Sequence, residues 1–292
     1  MRRGRYFLGR VVKINLTQET LMNAITNAPI ISIGKFDWTI TDVIDNRDEE
    51  LPYIFGKLSK FAKDGHAKVI DELSRSQIDA EVPNLLEASS PFIYLPDYSG
   101  IAFLHVWNGI QEDVFPRRFK SVVEAAFDRF MISCDIEPIS DYRAFTSRLK
   151  KMNYFTEFSA TVYPPNPLFG RLWGSLNNYI ESRNASEVAV KEQTSKPKGL
   201  RSKIIELMDR IIESPNYEPD EPPAIGDAAI LMAADGYGRG KVKGIEGGEE
   251  VIIKTSDTQK SFLHTKDPEP DELAIKSKSQ FEKVSKERDM NH

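Results

Sequence analysis

The side chains able to do chemistry in this chain are mostly cations, and two groups of them stand out. Arg117, Arg118 and Lys120, with Arg129 beyond them, ride one amphipathic stretch. Lys191, Lys196, Lys198, Arg201 and Lys203 follow in close order with Glu192 as the sole acid between them. Cations spaced along a loop that enters a helix neutralise phosphates without reading bases, which predicts sequence-independent contact with DNA or RNA. The plainer alternative is a solvated charged loop.

The other reactive types do not assemble. His66, His105, His264 and His292 share no motif spacing with one another or with Cys134. Neither a zinc site nor a Cys–His nucleophile is signalled, and neither a metal nor a cofactor is expected. Gly236-Tyr237-Gly238-Arg239-Gly240 resembles a phosphate-binding glycine pattern, but that fingerprint follows a strand and opens a helix, and here a helix precedes and a strand follows. These glycines read instead as a helix cap and the start of a hairpin. Carboxylates are abundant, yet their number selects no acid–base pair, so no catalytic residue is named and the reading leans away from an enzyme.

Composition bounds the function classes. The 292 residues are 40% hydrophobic and 28% charged, ordinary for one large or two moderate globular domains. The net charge of −5 is unevenly spread: residues 1–200 hold 25 Lys and Arg against 25 Asp and Glu, and residues 201–292 hold 14 against 19. A globally basic nucleic-acid binder is not expected, while a local basic face on a neutral domain is compatible with this balance. No run of about 18 apolar residues exists and the start leads into an alternating strand, so no membrane span and a cytoplasmic location are expected. One cysteine excludes an internal disulfide.

The elements that must position these cations follow from periodicity. Tyr6, Leu8, Val12, Ile14 and Leu16 alternate as a long strand, with Arg10 the one intruder on its apolar face. Thr17 is placed to cap a short helix, with Thr20 where a capping box wants glutamate. Phe36–Ile40 and Tyr53–Leu58 read as a hairpin, residues 62–90 as a polar connection with a short helix near Val69–Leu73, and Phe92–Trp107 as a second hairpin about Pro96–Gly100. Phe115, Phe119, Val122, Val123, Phe127 and Phe130 recur at helical spacing. A strand near Ile136, a helix over Asp141–Leu149 and a strand over Tyr154–Val162, stopped by Pro164 and Pro165, complete one α+β unit. In it a mixed or mainly antiparallel sheet carries helices on one face.

Four segments are expected: a main domain over 1–192, a linker over 193–199, a helix and β-meander subdomain over 200–265, and a disordered or weakly helical polar tail over 266–292.

Several short blocks also resemble an uncharacterised bacterial family: Gly56-Lys57-Leu58-Ser59-Lys60-Phe61, the strand ending Pro165-Asn166-Pro167, and Asp235-Gly236-Tyr237, where the family has asparagine in place of Asp235. The resemblance runs from about Arg5 to about Thr265. The order of elements is similar to that of the RexA phage-exclusion proteins, in layout and without shared motifs. That likeness implies a phage-defence or prophage role and carries no site residue over. A non-enzymatic, nucleic-acid-associated or partner-binding component is the expected function, with a metal-dependent nuclease or nucleotide-acting effector and a structural subunit as alternatives. A protein partner in such a system and a homodimer are further expectations.

Overall fold

The computed structural model describes residues 2–127, 132–165 and 167–291, and the chain is α+β. β1 (Arg3–Ile14) follows the alternation of its sequence, with Tyr6, Leu8 and Val12 buried. Thr17 caps α1 (Gln18–Thr26) through a reciprocal box: its Oγ1 accepts from the Thr20 N–H at 3.1 Å, and the Thr20 hydroxyl accepts from the Thr17 N–H at 2.9 Å. β2 (Ile31–Ile33), β3 (Phe36–Asp45), β4 (Ile54–Asp71) and β5 (Ser76–Leu95) form a meander, and a turn at Pro96–Tyr98 leads into β6 (Gly100–Leu104). α2 (Val114–Glu124) turns Phe115, Phe119, Val122 and Val123 inward.

β7 (Ser133–Pro138) follows, then α3 (Tyr142–Leu149), capped by the Asp141 carboxylate on the Ala144 N–H at 2.9 Å. β8 (Tyr154–Val162) stops where Pro164 and Pro165 remove the next donors. After it come β9 (Phe169–Gly170), α4 (Gly174–Ser182), β10 (Val188–Gln193), α5 (Ile204–Glu213), α6 (Ile225–Met232), β11 (Gly238–Glu246), β12 (Glu249–Lys254), β13 (Ser261–Thr265), α7 (Pro270–Glu287) and β14 (Met290–Asn291). The expected glycine cap is present: Gly236, at φ +88, turns the chain out of α6 and into β11.

The strands form two main sheets. The first has the order β13-β1-β6-β5-β4-β3-β2, with β7 pairing the far half of β1, and the second has the order β10-β8-β11-β12. The first sheet carries α1 and α2 on one side, around Phe92, Phe103, Phe115 and Phe119. Its other side holds α7, around Tyr6, Phe55, Leu95 and Phe281. The second sheet buries Phe158, Ala160, Val162 and Val242 against α6 and its neighbours. Arg10, the charged intruder of β1, joins the two halves. Its Nε donates to the Asp235 carbonyl at 2.9 Å and its Nη1 to the Tyr98 carbonyl at 2.7 Å, with the guanidinium over the Tyr237 ring.

The structure differs from the sequence reading in four places. β8 does not share a sheet with β1 and β6; it is an inner strand of the second sheet, between β10 and β11. Residues 62–90, read as a connection with a short helix, are instead the outer part of the β4–β5 hairpin. Its distal portion stands clear of the core, so its polar surface hides the strand period, while Ala88 and Ser90 at its base are buried. The stretch 200–265 supplies strands to both sheets, β11 beside β8 and β13 beside β1. The tail is ordered: α7 buries Leu273, Ala274, Phe281 and Val284, a helical stripe diluted by charged neighbours. Of the amphipathic stretch that defines α2, residues 128–131, with Arg129 and Phe130, lie outside the described residues.

Candidate nucleic-acid interface

The second sheet has one apolar face and one charged face. Since Phe158, Ala160, Val162, Val242 and Ile253 point into the core, their strand neighbours point away from it. Those neighbours are Lys191 on β10, Glu157, Ser159 and Thr161 on β8, Arg239, Lys241 and Lys243 on β11, and Lys254 on β12, with the large apolar side chain of Ile252 also exposed among them. Register sets them in rungs. Lys191 lies opposite Ser159, Ser159 opposite Lys241, and Lys241 opposite Lys254, so three ammonium groups share one line across four strands.

Two buried carboxylates hold this face in order. Glu157 is 3% exposed and lies 3.1 Å from Lys241 Nζ, 3.4 Å from Lys191 Nζ and 4.0 Å from Lys243 Nζ. Burial raises its carboxyl pKa, but the Lys241 and Lys191 ammoniums outweigh that and hold it below the ordinary range. Glu137 on β7 is 1% exposed and accepts from Arg239 Nε at 2.8 and 3.1 Å, while Asp135 lies 3.3 Å from Arg239 Nη2. Here burial wins: it pushes the Glu137 carboxyl up to about 7 against the pull of Arg239, and Asp135 adds to the rise.

Part of this face lines a cleft of about 920 Å³ between the sheets. Arg239, Lys241, Lys254, Ser159 and Thr161 form one wall, and Arg5, Phe7, Glu137 and Arg117 stand across from them. No known protein family matches the chain, and no curated protein matches its sequence.

The cations singled out in the sequence are dispersed by the fold. Lys191 lies on the charged sheet face, and Arg117 lines the cleft while pairing with Asp113 at 2.7 Å. Arg118 sits over the Trp38 ring, and Lys120 is tied to Asp135 at 3.0 Å and to Glu124 at 3.7 Å. Lys196 and Lys198 are exposed on the loop after β10. Arg201 and Lys203 border a separate groove, which Glu206, Asp220, Glu221 and Asp227 also line.

The sequence reading missed Arg239, Lys241, Lys243 and Lys254. The signal of the first three was present in Arg239-Gly240-Lys241-Val242-Lys243, where cations alternate with glycine and valine at the strand period. Cations two apart on a strand share a face; that the face is completed by β10 and β12 is decided by pairing.

Proposed function

We propose that this chain is a non-enzymatic component that binds DNA or RNA through phosphate contacts on the charged face of its second sheet. One observation carries the reading: Lys241 stands directly opposite Lys254, with Lys191 two strands away on the same rung. Like charges opposed across a ladder destabilise a sheet. Glu157 offsets two of the three, and Lys254 has no carboxylate within ion-pair distance among the described residues. A polyanion relieves that repulsion. The cations of this face are separated by the hydroxyls of Ser159 and Thr161, so the contact expected is with the backbone and independent of sequence.

Membership of a phage-defence or prophage-exclusion system is part of the same proposal and is supported by the likeness of element order alone. The nuclease alternative is favoured by Glu137, which lines the cleft with its carboxyl pushed up to about 7, and by the Asp135 charge that adds to that rise.

Filter binding across a salt series tests the reading. Replacing Lys191, Lys241 and Lys254 by glutamine is expected to flatten the log–log salt slope by about 2.1–2.7, at about 0.7–0.9 for each phosphate no longer neutralised. An unchanged slope, or no binding by the parent protein at low salt, refutes it. Strand cleavage when divalent metal is added to the same samples moves the assignment to the nuclease.

A further inference from the structure

Beyond Phe61, β4 loses β3 as a partner and pairs with β5 alone out to Asp71. Its other edge therefore carries backbone N–H and C=O groups with no strand partner among the described residues. Proline does not interrupt that edge between Ala62 and Asp71, whereas the outer edge of β5 is broken by Pro83, Pro91 and Asn84 at φ +55.

Cross-strand partners share a face. The pairs Gly65–Val82, Ala67–Ala80 and Val69–Ile78 make one side of this ribbon apolar, and His66–Glu81 and Lys68–Asp79 make the other side charged. Val69 and Ile78 are 39% and 47% exposed. A two-stranded ribbon is at best marginally stable by itself in water, so this one lacks a neighbour.

The order of residues along β4 indicates which neighbour. Its apolar side reads Lys63, Gly65, Ala67, Val69, Asp71 at period two. Turned about Ala67, that order is its own complement. Lysine meets aspartate at both ends, valine meets glycine and the Leu85 side chain lying over it, and alanine meets alanine. The Asp71 carboxylate is already oriented by the Leu73 N–H at 3.2 Å and the Ser74 hydroxyl.

We propose that two copies of the chain pair antiparallel through β4, with the two-fold axis at Ala67, to give a four-stranded sheet β5-β4-β4-β5 across the dimer. Such an isologous contact closes on itself, so the assembly stops at two.

Cysteine cross-linking in the full-length protein tests the register. In Ala67→Cys the two new thiols face each other across the axis, with Cα atoms about 4.5–5.5 Å apart, within disulfide reach. In Ala80→Cys they are three strand spacings apart, about 14 Å, beyond reach. Cys134 is buried and does not compete.

The expected result is a dimer mass by light scattering, a disulfide-linked dimer from oxidised Ala67→Cys, and none from Ala80→Cys. Lys63→Glu is expected to raise the dimer dissociation constant roughly tenfold, because it sets two glutamates against two aspartates. A monomer at high micromolar concentration overturns the proposal, as does a dimer in which Ala80→Cys links as well as or better than Ala67→Cys.

Discussion

Arg288 and Asp235 meet at 2.7 Å with both side chains buried, and this pair ties the end of α7 to the turn that follows α6. Asp235 is also reached by Tyr142 Oη at 2.7 Å and by Trp173 Nε1 at 2.7 Å. Arg288 in turn donates to the Ser140 and Ala234 carbonyls and lies over the Tyr142 ring. One carboxylate thus gathers α3, the segment before α4, the α6 turn and the C-terminal segment. Asp235→Asn leaves Arg288 charged and buried without its counter-ion, so a loss of about 3–5 kcal/mol is expected in urea unfolding.

α7 is held by a ring packed on a bare backbone. A Cβ added at Gly100 would lie 2.6 Å from the Phe281 ring, and Phe281 stacks on Tyr98 with centroids 5.6 Å apart. Phe281→Ala is expected to cost about 3–5 kcal/mol. Removal of residues 268–292 is expected to lower the melting temperature markedly; an unchanged melt would show that α7 contributes no packing energy.

Within α2, Phe119 is fully buried and meets Phe92 edge to face at 5.4 Å, whereas Phe127 is partly exposed beyond the end of the helix. Phe119→Ala should cost about 3–5 kcal/mol, and Phe127→Ala clearly less. Equal losses in chemical denaturation would contradict this arrangement.

Glu137 makes stability depend on pH in a definite direction. Its carboxyl is raised from 4.5 to about 7 in the folded chain, so the fold binds this proton more tightly than the unfolded chain does. The contribution is fully present below 4.5 and is lost as pH rises to about 7. Unfolding free energy of the parent relative to Glu137→Gln should therefore fall across that window, with Arg239, Asp135 and Lys120 the charges around the site. Protonation also frees Arg239 from its partner, so nucleic-acid affinity should be higher below pH 7 than above it, and Glu137→Gln should flatten that dependence.

The loop cations provide a contrast. Lys196 and Lys198 are exposed on the loop after β10 and outside the rungs of the sheet, and Arg201 and Lys203 line a separate groove beside acids. Replacing all four by glutamine should leave the salt slope of binding near its parent value, while Lys191, Lys241 and Lys254 together should change it. The reverse ranking would move the contact surface to the loop.

What the sequence alone determined lies within a few residues of itself. The Thr17–Thr20 box, the start of α3 at Asp141, the stop after Val162 and the glycine turn from α6 to β11 depend on local backbone chemistry, so each was legible from neighbouring residues. The stripe of α2 was legible because one side of a helix meets the core and repeats every turn. Tertiary structure alone decided which sheet β8 joins, because strand pairing is a contact between distant segments and alternation says only that a strand has two faces. It likewise decided that the Arg239–Lys243 cations and Lys254 face Lys191 across β8. The stripe of α7 and the outer β4–β5 ribbon escaped the reading for opposite reasons. The helix buries few positions among many charges, and the ribbon leaves even its apolar side open to water.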